Sequence, residues 1–455
     1  MVPIVTPEEM RLVDEQAAQP VEVLVGRAGS AIARVAVRML GGTYGRVVHV
    51  VAGPGNNGAD GRVAARLLQA KGVAVRVYDA AFVPAVLPPA DLVIDAAYGT
   101  GFHGDWQAPD VGDAPVLAVD VPSGVNALTG AASGRVLAAT RTVTFQALKP
   151  GLLLPPGSDM AGEWEVADIG LEAGVAAHCH AHLVQGHDVA EWLPVRSANA
   201  HKWQAAVRVV AGSAGMTGAA GLAARGAMRV GAGMVHLSAL GTLVVDAPLE
   251  AVQVPLAAAA WTRTVLESLD RFHALVIGPG LGRDDVTAAQ VRAVVLDAAV
   301  PTVVDGDGLF AMAWNAEGAA ALLRRRTVPT VLTPHGGEYA MLVGAPPVGD
   351  RLTAARRLAA DTGCVVLLKG PATVVADPDG EVLVVTTGDE RLATAGTGDV
   401  LAGVIGGLLA QGMSAFEAAA AGAWLHGQAA RSAPAHGMVA GDIPHHLPAV
   451  LDSLR

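Results

Sequence analysis

Asp399 is the single carboxylate in a run of small residues, Thr394-Ala395-Gly396-Thr397-Gly398-Asp399-Val400-Leu401-Ala402-Gly403. A turn of this composition can bring backbone N–H groups and a helix N-terminus against a phosphate. A carboxylate beside that phosphate can take a proton from a hydroxyl. The same residues also suit a plain strand-to-helix turn with Asp399 as N-cap. Other residues with chemistry to offer are Lys369 in Lys369-Gly370-Pro371-Ala372-Thr373, His335 in Thr333-Pro334-His335-Gly336-Gly337-Glu338, and the pair Asp305 and Asp307. The first half of the chain adds Asn56, Asn57, Asp60, Asp95, Asp120, Ser123 and Lys149.

The elements that must position these groups alternate regularly. Residues 7–39 read as helix, forming an arm or a docking surface. Arg46–Ala52 is a short β-branched run, hence a buried strand. Gly53-Pro54-Gly55-Asn56-Asn57-Gly58-Ala59-Asp60-Gly61 follows as a loop, then Arg62–Lys71 as helix and Val73–Tyr78 as strand. That is a βαβ unit. It is not the dinucleotide fingerprint, because GxGxxG is only partly matched. Paired amides beside an Asp suit a polar ligand or a cation, and an Asn-rich turn is the alternative. Leu92–Ala96, Val116–Val121 and Arg141–Phe145 are further strands. Their ends present Asp95, Asp120 with Ser123, and Lys149. Parallel α/β sheets gather such ends at one edge, where ligands bind. Oxygen donors there suit K⁺, Na⁺ or Mg²⁺ rather than zinc. Lys149 could hold a phosphate or a carboxylate, or be solvated.

In the second half Val207–Ala211, Val235–Ala239, Ala274–Ile277, Thr302–Val304, Thr330–Leu332, Val365–Leu368 and Glu381–Thr387 read as strands. Small-residue loops follow several of them, among them Gly212–Ala220 and Gly278–Gly282. Gly231 ends the helix that runs to Arg229. The fold class is α/β, with two doubly wound domains. Lys369, Asp399 and His335 fall on separate strand ends of one edge, so a ligand contact is expected there.

Charged residues make up 16% of the 455, below the usual ~25%, so large cores are expected and disorder is not. The net charge of −11 argues against nucleic acid and anionic membranes as partners. Two cysteines, Cys179 and Cys364, leave no disulfide framework and fit a reducing compartment. The acidic, interrupted opening is not a signal peptide, and Val400–Phe416 is shorter than a membrane span. A soluble cytoplasmic protein is expected. His178, Cys179, His180 and His182 would need a fourth ligand to hold zinc, which no second cluster supplies, so an exposed polar strand is expected there.

GPGNNGADG, VIDAAYGTG, VDVPSG and TFQALKPG, in this order, resemble the NAD(P)H-hydrate epimerase domain, over roughly residues 1–190. The resemblance implies a Rossmann-like domain with K⁺ at Asn57, Asp95 and Ser123. It implies hydrate contacts at Asn56, Asn57, Gly58, Ala59 and Asp60, at Gly99, Thr100, Gly101, Phe102, His103, Gly104 and Asp105, and at Asp120. The hydrate is a hemiaminal at C6, so exchange of R and S needs an acid and a base near that oxygen. Asp120 is the candidate, helped by Lys149. Ala59 replaces the family's usual Gly, and Val25-Gly26-Arg27 replaces Met-Glu-Arg.

Residues 191–455 are similar to the ADP-dependent NAD(P)H-hydrate dehydratase, a ribokinase-like three-layer fold. AGSAGMTGAA, GPGLG, TPHGGE, KGPATV and AGTGDVLAG carry the likeness. It implies hydrate contacts at Ala219, Gly282, His335 and Asp399, and AMP contacts at Lys369, Gly370, Pro371, Ala372, Thr373 and Gly398. It further implies that ADP, with Mg²⁺, phosphorylates the S-hydrate's hydroxyl, and that phosphate then leaves. Asp399 would be the base. The expected partners are NADHX, NADPHX and ADP, in a homo-oligomer. Two other readings are a ribokinase-type vitamin-precursor kinase, which leaves the Asn56–Gly61 region unexplained, and a nucleotide-sensing regulator, which needs no proton-transfer carboxylate.

Overall fold

The computed structural model describes residues 1–347 and 349–455. The chain divides into two compact units, Val2–His182 and Leu183–Arg455, with Met1 grouped with the latter. The division lies ahead of Glu191, which falls within the helix Gly186–Trp192. Val184 already donates its amide to Val384 O at 3.0 Å, so the chain has joined the second unit's sheet by that point.

In the first unit six strands run in the order Ala74–Asp79, Val47–Ala52, Leu92–Ala96, Val116–Val119, Arg141–Phe145, Glu163–Ala167, all parallel. Strand order reverses between Val47–Ala52 and Leu92–Ala96, where open α/β sheets form their ligand crevice. Asp95 pairs with Val51 on one side and Ala118 on the other, so it issues from the middle of that edge. Residues 7–39 form two helices, Pro7–Glu15 and Val21–Leu40, with Pro20 as N-cap of the second. Proline's fixed φ and missing N–H break the continuous helix that the sequence suggests. Met10, Val13, Ala28 and Ile32 join the unit's core, so these helices are not a free arm. The Asn-rich stretch is also not a free loop, because Asn56 already opens the helix Asn56–Ala70.

In the second unit the strands run Val382–Val385, Thr373–Ala376, Val365–Leu368, Thr330–Leu332, Thr302–Val304, Ala274–Ile277, Ala206–Ser213, Met234–Leu240, Val252–Gln253. The pairings on either side of Thr373–Ala376 are antiparallel and the rest are parallel. Ile277, Val304 and Leu332 are in register, so Gly278, Asp305 and Thr333 emerge side by side. Order reverses between Ala206–Ser213 and Ala274–Ile277, which puts the crevice at the Gly212 and Gly278 loops.

The helix Thr397–Ala410 is buried along almost its whole length. Burial of Val400, Leu401, Val404, Ile405, Leu408 and Leu409 contributes on the order of 10 kcal/mol. It packs on the helix Thr217–Arg229 through small residues. A β-carbon at Gly403 would lie 1.9 Å from Ala223 O, so only glycine permits this approach. Among the described residues no helix is long and apolar enough to cross a membrane. The basic triplet Arg324–Arg326 is spent internally: Arg324 Nε donates to Asp361 O at 2.7 Å, Arg325 pairs with Glu317, and Arg326 Nε donates to Thr330 Oγ1 at 2.6 Å.

Candidate active sites

The first unit's site begins at the strand end Val116–Val119. The chain turns through Asp120 at a φ of 68°, a left-handed conformation that Asp tolerates better than most residues. That turn buries the carboxylate among donors. Lys149 Nζ lies 2.7 Å from Oδ1, and Thr144 Oγ1 donates to the same oxygen at 3.1 Å. Thr100 N donates to Oδ2 at 2.9 Å, and Thr100 Oγ1 donates there as well. Burial pushes the Asp120 carboxyl up, but Lys149 and the Thr100 bonds outweigh it and hold the group below the usual carboxylate range. Asp120 is therefore a carboxylate at neutral pH, which suits a base and not an acid.

Lys149 also donates to Thr144 Oγ1, Phe145 O and Ala147 O at 3.0, 3.0 and 3.2 Å. An ammonium has three protons, so nothing is left over for a substrate. The lysine holds Asp120's carboxylate and is a positioning residue.

Asp60 is the contrasting group. It is buried in the helix Asn56–Ala70, and burial, with Asp120 and Asp14 adding to it, pushes its carboxyl up to about 8. Asp14, from the helix Pro7–Glu15, is raised by burial and by Asp120, with Lys149 opposing. Nothing in the sequence pattern linked Asp14 to this site, because only the fold brings residue 14 to the strand ends.

Asn57 and Gly99 complete the cluster. A β-carbon at Gly99 would lie 3.0 Å from Asp120 Oδ2 and 3.2 Å from Asn57 Oδ1. Asn57 Nδ2 is buried with no partner, a donor left for a ligand. Asp95 is fully buried and accepts from Ser123 Oγ at 2.6 Å and Ser123 N at 2.9 Å. Burial pushes its carboxyl up against those bonds, and no ion pair to it occurs among the described residues. A buried carboxylate with hydroxyl and amide oxygens nearby is a fitting donor set for a monovalent cation. Asn56, Gly58 and Ala59 lie in the helix's first turns. Ala59 has an ordinary negative φ there, so its β-carbon costs nothing. No feature of the structure explains Gly26, around which a β-carbon would meet nothing within 4 Å. Gly101, His103 and Gly104 are exposed. Phe102 packs on Tyr98 at 4.7 Å between ring centroids, and Asp105 accepts from Ser133, so both are turned to neighbours.

The expected polar strand at His178–His182 is not present. His178 ends the helix Glu172–His178, and the strand covers only Ala181–Leu183, so the histidines do not share one strand face. Among the described residues no group of three or more His, Cys, Asp or Glu is arranged to hold a metal.

The second unit's site is a cleft of about 400 Å³ lined by Gly215, Met216, Ala219, Pro279, Gly280, Gly306, Asp307 and Asp399. The N-cap of the helix Thr397–Ala410 is Gly396 at a φ of 92°, not Asp399, and no side chain caps it. The first-turn amides of Gly398 and Asp399 thus face outward with the positive end of the helix dipole. Burial pushes the Asp399 carboxyl up to about 7, with Asp305, Asp307 and Glu338 adding and Lys369 opposing.

Lys369 Nζ lies 2.8 Å from Asp305 Oδ1 and 3.7 Å from Glu338 Oε2. Burial opposes its charge, but Asp305 and Glu338 outweigh that and keep it protonated. The three carboxylates of Asp305, Glu338 and Asp399 around this one ammonium leave an excess of negative charge, which suits a divalent cation brought in with phosphate. Glu338 went unrecognised in the sequence, as did the buried His426, whose Nε2 has no partner. Burial pushes His426 down to about 4, so it stays neutral behind Thr397 and Lys369.

His335 caps the helix Gly336–Val343, its Nδ1 accepting from Gly337 N at 3.0 Å, and its Nε2 lies 3.6 Å from Glu338 Oε1. Gly282 N donates to Asp307 Oδ2 at 2.9 Å. Gly370–Ala372 turn between the strands Val365–Leu368 and Thr373–Ala376, braced by Arg351 Nη2 donating to Lys369 O at 3.0 Å. A β-carbon at Gly398 would lie 3.3 Å from Lys369 Nζ, so these two predicted residues adjoin.

Each of the two units matches known proteins. A family model described as NAD(P)H-hydrate dehydratase matches residues 207–452, and one described as YjeF-related protein N-terminus matches 21–84 and 79–151. The bifunctional NAD(P)H-hydrate repair enzyme Nnr of Moorella thermoacetica is 36% identical over 99% of this chain and 97% of its own. That of Mycobacterium tuberculosis is 39% identical over 86% of this chain and 84% of its own. Among solved structures, the ADP/ATP-dependent NAD(P)H-hydrate dehydratase from Bacillus subtilis, co-crystallised with ATP and Mg²⁺, is 32% identical with a TM-score of 0.53. It covers 60% of this chain and 98% of that one. With both units matched, the chain belongs to the family of bifunctional NAD(P)H-hydrate repair enzymes.

Proposed function

We propose that the chain repairs hydrated nicotinamide nucleotides, with the unit Val2–His182 exchanging the R and S hydrates and the unit Leu183–Arg455 dehydrating the S form at the expense of ADP. The observation that carries this is Asp399. A carboxyl with a pKa of about 7 stands in the first turn of an uncapped helix, beside a protonated lysine, in a cleft at the sheet's switch point. A base poised near neutrality next to a phosphate cradle is what transfer of phosphoryl to a hydroxyl requires.

In the dehydratase site Asp399 takes the proton of the C6 hydroxyl as its oxygen attacks the β-phosphorus of ADP. The P–O bond to AMP breaks, and the Gly398 and Asp399 amides and Lys369 stabilise the transferring group. Phosphate then leaves C6, a proton leaves C5, and the ring double bond is restored. Mg²⁺ carried in on the ADP phosphates would supply charge neutralisation there, beside the carboxylates of Asp305 and Asp307. Lys369–Thr373 and Gly398 hold the AMP portion, and Ala219, Gly282 and His335 hold the hydrate.

In the epimerase site the two carboxyls divide the work. Asp60, kept protonated, gives its proton to the departing C6 hydroxyl. Asp120, kept ionised by Lys149, takes a proton from the water that returns to the other face, once the Thr100 hydroxyl rotates aside. Asn57, Asp95 and Ser123 would hold K⁺, which would supply positive charge beside the Asp95 carboxylate. The kinase reading gives this first site no task.

The test is a mixed R and S NADHX sample followed by absorbance of the reduced nicotinamide, with and without ADP. Recovery that depends on ADP is expected. Consumption of ATP with a vitamin alcohol, and no recovery of NADH, would overturn the reading.

A further inference from the structure

The second unit carries an aromatic feature outside the cleft that the proposed reaction leaves unused. The helix Asp307–Ala313 begins at the cleft with Asp307, and Phe310 lies one turn further along it. Trp314, the next residue of that face, stacks on Phe310 at 5.5 Å with an interplanar angle of 15°. It is 60% exposed, unusual for so large an apolar ring. Its indole Nε1 donates to Asp285 Oδ1 at 3.1 Å, which fixes the ring with one face open. Arg283 joins the ring pair to the cleft. Its Nε donates to Asp307 Oδ1 at 2.7 Å, and its guanidinium lies 5.2 Å from the Phe310 centroid. The residue before it, Gly282, donates to the same Asp307 carboxylate.

A hydrated dinucleotide has more to bind than its reduced ring. Beyond that ring it carries a pyrophosphate and an adenosine, and Asp399 and the cleft account only for the reacting end. A cation followed by an open, immobilised aromatic face, continuous with the cleft wall, matches that remainder in order and in chemistry. We propose that Arg283, Phe310 and Trp314 form a shelf for the distal half of the substrate, with the adenine stacking on Trp314 and the pyrophosphate passing Arg283.

The inference rests on the dehydratase reading, and its test separates the two. The full chain, with ADP and Mg²⁺, is given either S-NADHX or the hydrate of reduced nicotinamide mononucleotide, which lacks the adenosine half. For Trp314→Ala the KM for S-NADHX rises about fivefold or more, the low end of what a base–aromatic stack is worth, with kcat within about twofold. The KM for the mononucleotide hydrate does not change, and Trp314→Phe restores most of the affinity for S-NADHX. An equal rise for both substrates, or none for either, overturns the shelf while leaving the dehydratase reading intact. Failure of the unaltered protein to turn over either hydrate overturns the reading and the shelf with it.

Discussion

Replacing Asp399 by Asn moves activity and stability in opposite directions, and the size of each follows from where the residue sits. The loss of the base costs dehydration about 10²–10⁴-fold, the usual worth of a positioned general base. The stability change has the other sign. Asp399 rises from the ordinary 3.8 to about 7 in the folded chain, so the folded state holds a proton that the unfolded state has lost. That carboxylate adds nothing unfavourable below about pH 4, and its full penalty appears above about pH 7. A rise of that size corresponds to about 4 kcal/mol, and partial access to solvent reduces it to on the order of 2 kcal/mol. Asn carries no charge to desolvate. The variant therefore melts roughly 4–8 °C higher at pH 8 and within about a degree of the parent at pH 4. The assay is thermal unfolding at the two pH values, paired with ADP-dependent recovery of NADH from S-NADHX. A variant that keeps its dehydratase rate, or gains no stability at pH 8, would refute the assignment of Asp399 as a strained, buried base.

Asp120→Asn abolishes epimerisation, read by chromatography of R and S NADHX, and leaves dehydration of the S form unaffected. It also leaves Lys149 buried without its counter-charge, which lowers the first unit's stability by about 3–5 kcal/mol in a denaturant melt. Epimerisation by the parent falls as pH rises through about 8, where Asp60 loses its proton, and Asp60→Asn is slow with that limb absent from its pH profile. Gly403→Ala drives a β-carbon against Ala223 O and costs about 1–3 kcal/mol or more, seen as a lowered melting temperature of the second unit.

Much of the scaffold could be read from the chain because its strands are short apolar runs between turn residues. Leu92–Ala96, Arg141–Phe145, Ala274–Ile277, Thr302–Val304, Thr330–Leu332 and Val365–Leu368 fold with the bounds the pattern suggests. The Asn-rich stretch reads as a loop because its glycines and asparagines are poor helix formers. Packing against the sheet overrides that propensity, as the buried Gly58 and Gly61 attest. The assembled carboxylates were the least legible part. Asp14 beside Asp120, and Glu338 beside Lys369, are separated widely in sequence, and nothing local distinguishes either from a solvated or capping acid. Protonation state was hidden for the same reason. Asp120 reads as an acid or a base from its neighbours in sequence, and only Lys149, Thr144 and Thr100 arriving from other elements make it a carboxylate.

The central claim is that one chain holds both steps, and pure R-NADHX tests it most directly. Supplied with ADP and Mg²⁺, the full chain should convert all of the R hydrate to NADH, at a rate well above spontaneous epimerisation, with one AMP formed per NADH. Recovery that stalls at the spontaneous rate would contradict an epimerase in the first unit. Recovery without ADP would contradict phosphoryl transfer at Asp399.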